Sequence, residues 1–359
     1  MDTNTVVPSK EEFRQIRRHY SKIGLIVIVL VVVFSGVNTL VAKISGAVIG
    51  GGFDKEHIEQ GVQIIRAYPI MSAIYSYFFP LAADVAALLT GLAVTKLDLR
   101  KMLTRKGFDG KDMLNITAFS MGLPIVASVV VLIITSIVAM AAGVDPNEAS
   151  SAMSSVFKME GPLWLNILIY LYICLIGPIM EELIFRGVIL EGLRKYGNTF
   201  AVIMSALLFG LMHQRFAQCL PAVVIGVVFA VYVVRTGSLL PGIFVHIVNN
   251  TLSAIAMVMM NGFDSDAMMK MAEKNDIDGM MKMMQSFMPL MIFLVIYMVI
   301  RLASFVYTII KGSSVISGKK KLFEQNDYCA ARGWKPFFAS VPCLLIVLFL
   351  TVTTFMSII

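Results

Sequence analysis

Stretches of about 20 consecutive apolar residues recur from one end of this chain to the other, each long enough to cross a hydrocarbon core of about 30 Å as a helix. A bilayer core offers no water to free backbone groups, so such runs are read as helices; the alternating pattern of a membrane barrel strand is absent. Composition agrees, since 58% of the 359 residues are hydrophobic and 15% charged, against roughly a quarter charged in an ordinary soluble domain. The fold class that follows is an all-α polytopic membrane protein of about eight to nine transmembrane helices. The candidate spans lie near 24–43, 69–95, 114–142, 164–193, 198–213, 219–235, 239–260, 286–310 and 336–358.

The net charge of +7 is distributed as membrane topology rather than as a nucleic-acid footprint, because the excess Lys and Arg sit in short segments between apolar runs. The leader (Arg14, Arg17, Arg18, Lys22), the segment Lys96 to Lys111 and the segment Lys311 to Lys335 are basic, whereas 44–68, 143–161 and 261–285 are mixed or acidic. This alternation predicts a multi-pass protein of the cell membrane with its N-terminus in the cytoplasm. An eight-span arrangement, with the first or last run lying differently, is the rival. The first run is longer than a signal-peptide core and lacks a convincing cleavage site, so it is read as a retained span. The four cysteines are scattered and give neither a disulfide framework nor a CxxC metal site. The predicted division is a basic cytoplasmic leader (1–23), N-terminal transmembrane helices (24–160), a helical core rich in ionisable residues at span depth (161–260), a Met-rich extracytoplasmic segment (261–285), and C-terminal transmembrane helices with a basic cytoplasmic loop (286–359).

In the Met-rich segment, Met268, Met269 and Met271 and then Met280, Met281, Met283 and Met284 are interleaved with Asp, Glu and Lys. Soft thioethers suit copper(I), but an adaptable amphipathic segment at the membrane surface is the preferred reading. Lys319 to Lys321 is read as lying against anionic headgroups.

Charged residues at bilayer depth cost at least about 2.5–3.5 kcal/mol each, which singles out three places. They are Gly177-Pro-Ile-Met-Glu-Glu-Leu-Ile-Phe-Arg186, Phe209-Gly-Leu-Met-His213 and His246-Ile-Val-Asn-Asn250. Glu182 and Arg186 stand four apart in the order that favours an ion pair, while Glu181 is turned about 100° away. The pair is thus expected to lock the helix and Glu181 to remain available. His246 and Asn250 share a face, with Asn249 as a competitor. At about 1.5 Å per residue, Glu181 lies about 20 Å in from Arg194-Lys195 and His213 about 22 Å in from Asn198. His246, about 12 Å in from the Gly237-Ser238 turn, is lower, within reach if its helix tilts or if the Pro241-Gly242 start is immersed. Each group also has a structural reading, as an ion pair or as interhelical hydrogen bonds.

At these residues the sequence resembles the CPBP intramembrane protease family, which includes the type II CAAX prenyl endopeptidases and bacterial proteins linked to bacteriocin self-immunity. The family pattern EExxxR, FxxxH and HxxxN or HxxxD reads here as EELIFR (Glu181, Glu182, Arg186), FGLMH (Phe209, His213) and HIVNN (His246, Asn250). The resemblance covers about residues 164–255. It implies hydrolysis of a peptide bond in a membrane-associated or lipidated protein or peptide. Glu181 would activate a water as general base, His213 would orient that water or shuttle its proton, and His246 and Asn250 would donate to the tetrahedral oxyanion. A zinc ion held by Glu181, His213 and His246 is the other reading the family carries. The donor types suit zinc, though HExxH is missing, and Glu182 would then have to be the base. Metalloprotease and glutamate-dependent protease both stay open, as do a non-catalytic immunity or scaffold protein and a proton-coupled transporter. The expected partners are membrane lipids and a peptide or membrane-protein substrate, with no nucleic acid.

Overall fold

The computed structural model describes residues 8–104, 107–142, 161–260, 265–316 and 330–357, and every regular element among them is helical. Helix α1 (Lys10–Gly50) begins inside the basic leader, where the Ser9 hydroxyl accepts from the Glu12 N–H at 3.1 Å and closes its first turn. A short amphipathic helix α2 (Lys55–Ala67) folds back onto α1 on glycine. A Cβ on Gly61 would collide with the Gly46 carbonyl oxygen, so the two backbones touch where any larger residue would part them. Then follow α3 (Pro69–Thr95), α4 (Gly110–Ala141), α5 (Leu163–Arg194), α6 (Asn198–Met212), α7 (Phe216–Thr236) and α8 (Leu240–Met260). The Met-rich stretch forms α9 (Ser265–Glu273) and the first turns of α10 (Ile277–Ile316). Helices α11 (Ala330–Phe338) and α12 (Val341–Met356) complete the chain.

Among the described residues, α1, α3, α4, α5, α7 and α10 are long and apolar enough to cross a bilayer. The α11–α12 pair, bent by 81°, makes a seventh span if the two halves are taken as one. The remaining predicted spans are present as shorter apolar helices, α6 and α8. The protein is therefore an all-α, multi-pass membrane protein. The acidic connection over 143–160, Lys319 to Lys321 and Cys329 lie outside the described residues.

One core cluster joins α1, α3, α5, α6, α7 and α12 through buried residues such as Ile26, Ala87, Val188, Ala201, Ala230 and Leu350. A second joins α4, α7 and α8 through Ile116, Phe229 and Val245. The apolar faces turned outward, for example Val295, Val299 and Val306 of α10, suit lipid rather than water. Near the basic leader, Tyr20 is fully buried with its ring edge-on or tilted against Tyr196, Phe200 and Phe337 at 5.4–5.5 Å. The start of α1 is thereby packed between α6 and α11.

Periodicity did not foretell that the spans contain wide turns with π-helical bonding, at Val32–Val37, Ile74–Phe78, Tyr172–Ile176 and Glu182–Leu190. Two of these turns have a visible cause. Proline lacks an N–H and crowds the carbonyl four residues back. Immediately before Pro80 the Phe79 N–H donates to Ile74 O, and immediately before Pro178 the Gly177 N–H donates to Tyr172 O, five residues back in each case. The helix opens to accommodate the ring instead of breaking.

Candidate active site

The motif helices α5, α6 and α8 meet around one buried ion pair. Arg186 Nη1 lies 3.0 Å from Glu182 Oε1, and both side chains are wholly buried. The sequence expectation of an i,i+4 pair is met although the segment is π-helical, because either helix type returns a residue four positions on to nearly the same face. The guanidinium also lies 4.0 Å above the Phe209 ring and 5.5 Å from that of Phe229, so its positive charge is spread over aromatic faces in a place that water does not reach. Two glycines make room for the pair. A Cβ on Gly242 would stand 3.3 Å from Glu182 Oε2, and one on Gly226 would stand 3.2 Å from Arg186 Nη2 and 3.1 Å from Ala206.

His246 is buried and bridges the two carboxylates. Its Nδ1 lies 3.0 Å from Glu182 Oε1 and its Nε2 lies 3.5 Å from Glu181 Oε2. A carboxylate oxygen accepts, so Nδ1 donates to Glu182, and Nε2 faces the Glu181 carboxylate. Glu181 is the open end of the chain: 32% of its side chain is exposed, against none of Glu182. His246 thus stands level with the carboxylates despite its lower estimated depth. The start of α8 is packed inside the protein: Ser238 and Leu239 are buried, with Ser238 Oγ donating to Thr104 O at 2.7 Å and the Leu239 N–H to Met102 O at 2.8 Å.

His213 and Asn250 are placed differently. His213 Nδ1 donates to Phe209 O at 3.0 Å, which leaves Nε2 as the acceptor of the neutral ring. The Phe209 ring lies edge-on to both His213 and His246, at 5.2 and 6.0 Å. Among the described residues no hydrogen bond or ion pair joins His213 to either carboxylate. Asn250 Nδ2 donates to Ile173 O at 3.0 Å, tying α8 to the wide turn of α5, while Asn249 reaches Ser120 at 3.5 Å. The donors considered for zinc do not gather as a metal site. Both His246 nitrogens face carboxylates, His213 stands apart, and no group of three or more His, Cys, Asp or Glu suited to a metal ion occurs among the described residues.

Several contributors escaped the sequence reading. Ser205, buried on α6, donates to Phe185 O at 2.7 Å inside the long π-helical segment. Asp84 of α3 and Tyr172 both lie within electrostatic reach of Glu181. Asp84 was detectable by the argument that found Glu181, since it is the one carboxylate within the second span.

Comparison with known proteins bears on the same stretch. Residues 162–252 match a family described as type II CAAX prenyl endopeptidase Rce1-like. The chain is 35% identical over 82 residues to YdiL of Bacillus subtilis (strain 168), whose name presents it as a candidate membrane peptidase. That match covers 23% of this chain and 34% of the relative, so the chain spans about a third of that relative's length. No solved structure matches. Over residues 162–252, which hold all three motifs, the resemblance to the type II CAAX prenyl endopeptidases is a family match.

Proposed function

We propose that this protein is an intramembrane endopeptidase that hydrolyses a peptide bond of a membrane-associated or lipidated protein or peptide, with Glu181 activating the water. The observation that carries this reading is the chain Arg186, Glu182, His246, Glu181, which runs from a fully buried anchor to a half-open carboxylate. Its logic is that of a base oriented by a second group that is itself held by a third. Arg186 fixes Glu182, Glu182 fixes the His246 ring, and His246 faces Glu181. Glu181 takes a proton from the attacking water, and His246 Nε2 shares that proton on its way to the leaving amine. His213 Nε2, left free to accept, orients the water. Asn250 has two amide protons, and the one not committed to Ile173 faces the oxyanion as it forms. The cytoplasmic N-terminus, the location in the cell membrane and the domain division set out from the sequence belong to this proposal. No step is routed through a metal.

The test is cleavage of fluorogenic peptides carrying a lipid anchor by the purified full-length chain. Glu181→Gln, His213→Ala and His246→Ala should each abolish cleavage while the protein still inserts, and a chelator should leave the wild type active. Cleavage that survives Glu181→Gln refutes the mechanism. Loss of activity to the chelator, restored by zinc, would return the metal reading.

A further inference from the structure

Hydrolysis as proposed needs the His213 ring to aim one nitrogen at a water, and the ring has little of its own to aim it. Among the described residues its one hydrogen bond runs from Nδ1 to Phe209 O, a turn back in the same helix. Where Nε2 points therefore depends on how the last turn of α6 ends. His213 itself is still helical, at φ −67° and ψ −18°, and its N–H donates to Gly210 O at 3.3 Å. The next residue, Gln214, turns into the left-handed region at φ +50°. A residue with a Cβ seldom adopts that conformation, and it stays there only where its surroundings hold it.

Helix α1 supplies the hold. Gln214 Nε2 donates to Ser35 Oγ at 3.0 Å, and the Ser35 hydroxyl faces back to Gln214 Oε1 at 3.5 Å, so both ends of the amide meet one hydroxyl. Ser35 lies in the first wide turn, Val32–Val37, 179 residues earlier in the chain. The other side of the same connection is pinned by α12 and the residue after it. The Phe216 N–H that opens α7 donates to Ser357 Oγ at 2.8 Å, and Thr354 Oγ1 donates to Leu211 O at 3.4 Å. The short link that carries His213 is thus gripped by the first helix and the end of the last one. An ordinary interhelical hydrogen bond would make no demand on the backbone beside it; this one falls on the residue whose left-handed turn ends the helix of His213.

We propose that Gln214 is a positioning residue for the hydrolysis: its clasp on Ser35 holds the left-handed turn after His213 and so aims His213 Nε2 at the attacking water. The inference rests on the reading of His213 as the residue that orients that water.

The experiment uses the full-length chain in detergent with a quenched-fluorescent, lipid-anchored peptide, and activity is counted per folded molecule from the thermal unfolding of each variant. Gln214→Ala and Ser35→Ala should each lower kcat about tenfold with KM changed less than about twofold. The double variant Ser35→Ala/Gln214→Ala should be no worse than Gln214→Ala, and Ser35→Thr, which keeps the hydroxyl, should retain most activity. Gln214→Gly separates side chain from backbone: glycine enters the left-handed region freely but has no amide to clasp, so it should be as slow as Gln214→Ala. Wild-type kcat in Gln214→Gly or Ser35→Ala overturns the proposal, as do losses that multiply in the double variant, a change confined to KM, or a deficit that vanishes when only folded molecules are counted. His213→Ala run in parallel separates the two ideas. If it is inactive while Gln214→Ala cuts at the wild-type rate, only this inference fails; if it cuts at the wild-type rate itself, the His213 reading fails first.

Discussion

Arg186 has no exposed surface, one carboxylate partner and two aromatic faces. Arg186→Leu would leave Glu182 buried without its counter-charge and should cost about 3–5 kcal/mol, measured by thermal unfolding in detergent. Removing both charges, as Glu182→Leu/Arg186→Leu, should recover much of that stability while leaving the His246 ring without its anchor, so unfolding and cleavage should part company. Arg186→Lys should not rescue activity, since an ammonium lacks the planar face that lies over Phe209. At this scale the sequence was a good guide. Spacing alone identified the Glu182–Arg186 pair and set Glu181 apart from it, because both follow from helical phase. It was a poorer guide to Asp84, which lies on another span and in no shared motif, so that only the packing of α3 on α5 brings it near the motif helix.

The wide turns and the glycine contacts belong to the scale of the helix. Hydrophobic patterning located the apolar helices among the described residues, six or seven of them long enough to span, yet it did not show where π bonding replaces α bonding, because an apolar segment stays apolar with either bond pattern. Gly226 lies where α7 crosses α6, with Ala206 and Arg186 both within 3.2 Å of the position a Cβ would take. Gly226→Val should therefore cost about 1–3 kcal/mol in unfolding and loosen the ion pair below it. Gly61→Leu should lift α2 from α1, read as faster hydrogen exchange across Lys55–Ala67 with little effect on α5. Outside the spans, the cap of α2 depends on Asp54, whose carboxyl the His57 backbone N–H holds below the usual carboxylate range. That cap is complete above the ordinary carboxylate range and is lost as pH falls through the lowered one. Exchange in the first turn of α2 should accordingly rise at strongly acidic pH in the wild type and be high at every pH in Asp54→Ala.

Taken whole, the molecule closes on itself near the basic leader, where the ring of Tyr20 is buried among residues of α6 and α11. Tyr20→Ala should cost about 3–5 kcal/mol, comparable to emptying any large aromatic site in a core. The loss would appear as one cooperative transition if the first and last helices unfold with the core. The short helix α6 has a consequence of another kind. Its 15 residues rise about 22 Å, well short of a hydrocarbon thickness of about 30 Å. A helix that short cannot by itself cross such a thickness, and the residue that caps its C-terminal end is His213. Hydrolysis in a fatty medium is limited by the supply of its second reactant, so on the proposed mechanism water has to reach the level at which this one helix stops.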